Sequence, residues 1–88
     1  MTAFVQVTLN RTTSDTFKVF KREVVTIKEV VECHLIAGGY DCLLKIRFTN
    51  MESYRLVLEK IGGLPAIAQI STYMVTEHIK EDSGVPFD

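Results

Sequence analysis

No stretch of the sequence holds 18 consecutive apolar residues, so no transmembrane helix is expected. The first residues, MTAFVQVTL, have no positive region and no cleavage-site pattern, so no signal peptide is expected either. An excess of charge is missing too. Ten Lys and Arg stand against eleven Asp and Glu, net −1, which is not the electrostatic footprint of a nucleic-acid-binding surface. Cysteine is scarce: Cys33 and Cys42 are the only two, and they form no Cys-x-x-Cys of the kind metal transfer requires. They read as reduced thiols packed on strands of a cytoplasmic protein. Exposed aromatics of the kind an RNA-recognition sheet needs reduce to Phe4 and Phe48. Arg11 has no glycine-rich cradle around it, so an acylphosphatase-like phosphate loop is not formed. No Ser-His-Asp or Cys-His spacing stands out, and no metal-ligand set or cofactor motif is evident.

What the chain does have is apolar residues in excess of its size. At 88 residues it is one domain with a small core, yet 47% of it is hydrophobic and its mean hydropathy is +0.15. A partner subunit is the natural cover for that surplus. The domain is expected over residues 1–80, with 81–88 a polar tail that is loosely held or reaches a neighbour.

The apolar residues fall in six periodic runs. Ala3–Leu9 alternates, with Val5, Val7 and Leu9 on one face and Phe4, Gln6 and Thr8 on the other. Ser14 is a suitable N-cap with Asp15 behind it, and Phe17, Phe20 and Val24, with Val25 alongside, make one face of a helix ending near Thr26. Val30–Ile36 and Cys42–Phe48 are β-rich and free of proline. The first sets Val31, Cys33 and Leu35 against Val30, Glu32, His34 and Ile36; the second sets Cys42, Leu44, Ile46 and Phe48 against Leu43, Lys45 and Arg47. Thr49 and Glu52 fit a capping box for a helix carrying Tyr54, Val57 or Leu58, and Ile61, closed by Gly62-Gly63 and stopped by Pro65. A last strand is expected from Ile67 to Ile79. The order β-α-β-β-α-β predicts an α+β, ferredoxin-like fold: a four-stranded antiparallel sheet with both helices on one face. The bare face, carrying many of Phe4, Val30, Ile36, Leu43, Tyr73 and Val75 or their alternates, then predicts face-to-face dimerisation.

The two middle strands read as a hairpin around Ala37-Gly38-Gly39-Tyr40-Asp41, with the glycines free to take positive φ. The turn permits two readings. Its N–H groups at Gly38, Gly39 and Tyr40 suit an anion and Asp41 a cation, which together suit a zwitterion. Alternatively Gly-Gly is only a turn and Asp41 only satisfies it. His34 alternates with Glu32 on one strand face, with the side chains expected about 7 Å apart. His34 is the only residue on which a small dimeric ferredoxin-like enzyme would rest. His78, like His34, reads as a surface or packed histidine.

One resemblance covers residues 3 to about 80. FVQVTLNR at the start, Glu32-Cys33, Gly38, Tyr40-Asp41, Leu43-Leu44-Lys45, Asn50-Met51 with Tyr54, Leu64-Pro65, Thr72-Tyr73 and Glu77 with Lys80 follow in the order of the Lrp/AsnC regulators. The chain resembles the C-terminal regulatory domain of that family, close to its leucine-responsive branch. The resemblance implies a βαββαβ fold paired sheet to sheet in a homodimer, dimers assembling to an octamer, and an amino-acid effector held between dimers at the glycine turn. It implies a non-enzymatic effector-binding and oligomerisation domain. The pocket it implies joins Leu35, Gly38, Gly39, Tyr40 and Asp41 to Met51, Thr72, Tyr73 and Met74. Asp41 would take the ammonium, the turn amides the carboxylate, and Leu35, Met51 and Met74 the side chain. A purely structural assembly module is the other reading. Gly39 stands where that branch usually has an acid, Cys42 where an aromatic is common, and Ala66 where a glycine follows Leu-Pro. DNA contact in the family comes from a helix-turn-helix domain, and residues 1–88 hold no recognition helix.

Overall fold

The computed structural model describes residues 1–10 and 13–80. Arg11 and the tail at 81–88 lie outside these described residues. The elements are β1 (Thr2–Leu9), α1 (Ser14–Val24), β2 (Val30–Leu35), β3 (Cys42–Arg47), α2 (Met51–Gly62) and β4 (Ile67–Met74). The strands form one sheet in the order β2-β3-β1-β4, with every neighbouring pair antiparallel. This is the expected ferredoxin-like βαββαβ arrangement.

The core follows the period-two pattern. Directly paired residues of antiparallel strands point to the same side. Val5 pairs with Leu44 and Thr72, and Val7 with Cys42 and Ile70. Ala3, Val5, Val7, Cys42, Leu44 and Ile46 are fully buried, together with Phe20 of α1 and Val57 and Ile61 of α2. Both helices therefore cover this face. Phe48 stacks at 4.7 Å, tilted 41°, on Tyr54 and closes the core at the start of α2.

The other face has no helix. It carries Phe4, Gln6 and Thr8 from β1, Leu43, Lys45 and Arg47 from β3, Glu32 and His34 from β2, and Gln69, Ser71 and Tyr73 from β4. It is more polar than a sealed core. Val30, expected here, instead pairs with Ile46 and packs against the core. An irregularity between Val30 and Glu32 shifts the register by one residue, which turns Val30 over.

Local signals settle one residue from their expected places. The N-cap of α1 is Thr13 rather than Ser14; its hydroxyl accepts from Thr16 N–H at 3.2 Å. The capping box of α2 is Asn50 with Ser53, not Thr49 with Glu52: Ser53 N–H donates to Asn50 Oδ1 at 2.8 Å and Asn50 N–H to Ser53 Oγ at 3.1 Å. Val25 falls at the C-cap of α1, 76% exposed, and takes no part in the core. β4 stops at Met74 instead of Ile79 because β1 runs out: Val75 N–H makes the last bond, to Thr2 O at 3.0 Å.

One backbone position is strained. Ala66 has φ 64°, the only positive φ among described non-glycine residues, and its carbonyl accepts from Asn10 N–H at 2.7 Å. An L-residue in this conformation costs about 1–2 kcal/mol, which glycine avoids at a smaller entropic cost. Ala66→Gly is therefore expected to raise stability by up to about 1 kcal/mol, read as a higher urea midpoint at unchanged slope.

Candidate functional site: the β2–β3 turn

The hairpin closes where Ile36 N–H donates to Asp41 O at 2.8 Å. Neither Gly38 nor Gly39 takes a positive φ, contrary to the expectation for the turn. A Cβ on Gly38 would meet only Ile36 Cγ2 at 3.7 Å, and one on Gly39 would meet nothing within 4 Å. The glycines are thus needed neither for left-handed backbone nor for space. What they leave is bare peptide: the N–H groups of Gly38, Gly39 and Tyr40 donate to no other described residue.

Asp41 is fixed from both sides. Its N–H donates to Val7 O at 3.0 Å, and its Oδ2 accepts from Leu9 N–H at 2.7 Å. The Leu9 N–H points there by simple alternation, since Val7, two residues back, bonds toward the same edge. This contact was not read from the sequence. No signal in the sequence marks it, since Leu9 and Asp41 lie 32 residues apart. Asp41 Oδ1 accepts no hydrogen bond from another described residue. The result is three amides without a partner among the described residues, beside a carboxylate held by one of its two oxygens.

The nine residues proposed for the pocket fall into two groups. Leu35, Gly38, Gly39, Tyr40 and Asp41 lie together at the Val7–Leu9 end of the sheet. Met51 follows the far end of β3, and Thr72, Tyr73 and Met74 pair with Val5, Phe4 and Ala3. From Val7 to Ala3 is four strand rises, about 14 Å. Tyr73 also faces the open side, whereas Thr72 and Met74 face the helix side. One protomer does not bring the two groups into contact.

The other polar cluster sits on the open face. His34 Nε2 lies 3.0 Å from Glu32 Oε1, closer than their expected spacing, and Lys45 Nζ lies 3.5 Å from Glu32 Oε2. The hydrogen bond from His34, reinforced by Lys45, holds the Glu32 carboxyl below its ordinary 4.5. A depressed carboxyl contributes stability that is present above 4.5 and lost as pH falls below it. Glu32→Gln should therefore narrow its small stability difference from the native chain as pH drops below 4.5, measured by urea unfolding. Exposure and salt keep the effect small.

Cys33 pairs with Leu44 and Cys42 with Leu35, so the two thiols are diagonal neighbours, roughly 7–8 Å apart in backbone, and both are free. Burial pushes both upward, Cys42 to about 12 with help from Cys33 and Asp41. Both are protonated at neutral pH and are poor nucleophiles and metal ligands. Among the described residues no three His, Cys, Asp or Glu gather as a metal site, and no helix is long and apolar enough to cross a membrane.

Residues 2–85 match the Lrp/AsnC ligand binding domain. The chain is 45% identical over 80 residues to the proline dehydrogenase transcriptional activator of Rhizobium radiobacter, covering 90% of the chain and 51% of that protein. It is 41% identical over 81 residues to the leucine-responsive regulatory protein of Escherichia coli K12, covering 91% and 49%. Its fold superposes with TM-score 0.83 and 27% identity on a transcriptional regulator of Neisseria meningitidis in complex with L-methionine, covering 97% of this chain and 55% of that one. The chain spans about half the length of the curated relatives it matches. The family match spans residues 2–85, and the chain belongs to the Lrp/AsnC ligand-binding domain family.

Proposed function

We propose that this domain binds the zwitterionic head of a small amino acid at the β2–β3 turn and acts as the effector-sensing and assembly part of a transcriptional regulator. The observation that carries this reading is the pairing of three amides, unpartnered among the described residues, with the carboxylate of Asp41 held by Leu9 N–H. The amides suit an α-carboxylate and Asp41 Oδ1 suits an α-ammonium. The relative solved with L-methionine supports an amino acid as the ligand class. Leu35, Met51 and Met74 are exposed apolar side chains available for its side chain. Because the two groups of site residues lie at opposite ends of one sheet, a shared pocket requires a second copy. A homodimer through the open face, assembling further to an octamer, is the arrangement this reading uses. Such a domain is no enzyme, works in the cytoplasm, and meets DNA only through a helix-turn-helix domain outside these residues.

A specific contact favours the second reading, an assembly module without ligand. Asp41 already spends one oxygen on Leu9 N–H, which gives it a structural reason to be there. Thermal-shift screening with the twenty amino acids separates the two. A ligand at 100 times its Kd should stabilise the fold by about 2.7 kcal/mol, on the order of 10–20 °C for a domain this size. No shift with any of them, in a chain that sediments as a stable oligomer, would leave assembly as its role.

A further inference from the structure

One edge of the sheet and one run of the chain are both left without a strand to pair with. β2 is an outer strand. Ile36 N–H donates inward to Asp41 O, so by alternation the N–H groups of Cys33 and Leu35 point away from β3, to the free edge. Val31, Cys33 and Leu35 are exposed on the helix side of that edge, and Lys21, Val24 and Val25 line a groove beside them. A bare edge with an apolar strip is a template for another chain. The unpaired run is residues 75–80, which continue past the last bond to β1, from Val75 N–H to Thr2 O. A cleft of about 510 Å³ holds them off Phe4, Lys45 and Arg47 of the open face, which is room for side chains of an entering strand. Ile79, 90% exposed, is the most exposed large apolar side chain among the described residues.

We infer that residues 75–80 of each copy form an arm that crosses to the other copy of the homodimer and adds an extended segment to its free β2 edge. The exchange rests on the homodimer through the open face, and it fills the cleft with the partner's edge strand instead of leaving it to solvent. Main-chain bonds to the outward amides supply affinity, and alternate side chains supply specificity. Val75, Glu77 and Ile79 share one side of an extended arm. Ile79 then covers the apolar strip of the partner's Val31, the partner's Cys33 and the partner's Leu35, and Glu77 comes beside the partner's Lys21. On the other side, Lys80 and Arg47, which form no ion pair with another described residue, meet the partner's Glu32. Charges thus match on both sides of the added segment.

The test is sedimentation velocity of the full chain over a dilution series, joined to a cross-linking experiment. Ile79→Asp should raise the dimer dissociation constant by at least about a hundredfold, because two such contacts are lost per dimer. Leu56→Asp, at an exposed apolar position on α2 outside the arm and the edge, should leave dissociation unchanged. Ile79→Cys under mild oxidation should give a disulfide-linked dimer through the partner's Cys33, and the link should vanish when Cys33→Ser is added. A native chain that dimerises while neither Ile79 variant has its effect would overturn the exchange and leave the homodimer standing. A native chain that stays monomeric at every concentration would overturn both. A dimer weakened by Ile79→Asp without the Cys33-dependent link would seat the arm elsewhere and overturn β2 as its dock.

Discussion

Phe20→Ala is expected to cost about 3–5 kcal/mol, the largest single loss in this domain. Phe20 is fully buried and lies under α1 on the covered face of the sheet, with Val5, Val7 and Val24 in the same core. Truncating it removes the aromatic transfer free energy and leaves a cavity that the surrounding β-branched side chains fill poorly. Against a total stability of roughly 5–15 kcal/mol the variant stands near the edge of folding. Urea unfolding followed by far-UV circular dichroism should show a midpoint lowered in proportion. Val25→Ala, five residues on and exposed, should shift it by less than about 0.5 kcal/mol. Equal losses at the two positions would mean that α1 docks by another face.

The second large effect is on ligand response, and it turns on Asp41. Asp41→Ala removes the acceptor of Leu9 N–H and should cost about 1–3 kcal/mol in stability whether or not a ligand exists. Asp41→Asn keeps an oxygen for Leu9 and removes the charge. It should fold within about 1 kcal/mol of the native chain yet lose 10- to 100-fold in amino-acid affinity, the worth of a charge-assisted hydrogen bond. The readout is the thermal shift of each variant with the amino acid that stabilises the native chain. An asparagine variant that responds as the native chain does would assign Asp41 to the fold alone.

Much of the architecture was legible because period-two alternation survives wherever a strand is paired on both sides. Val5, Val7, Leu44 and Ile46 point where their spacing puts them. Val30 does not, because a register shift is a property of two strands and leaves no mark on one. The cap of α2 moved by one residue since Thr49, Asn50 and Ser53 can all serve, and only backbone geometry chooses among them. The end of β4 was illegible for a different reason: Val75 to Ile79 keeps a strand-like composition, but its partner strand has no residues left. At the turn, the residue types pointed to exposed amides and a carboxylate, whereas their reason did not. The glycines do not bend the chain into the left-handed region, and Asp41 is braced by a strand 32 residues earlier.

The separation of Leu35 and the turn from Met51 and Met74 along the sheet has a consequence for how any effector would titrate. A cavity whose halves belong to different copies exists only in the associated state. Its apparent dissociation constant then depends on how concentrated the protein is, and the small molecule doubles as a cross-bridge. Dilution of the chain should right-shift the saturation curve, and saturating effector should hold together an assembly that otherwise falls apart.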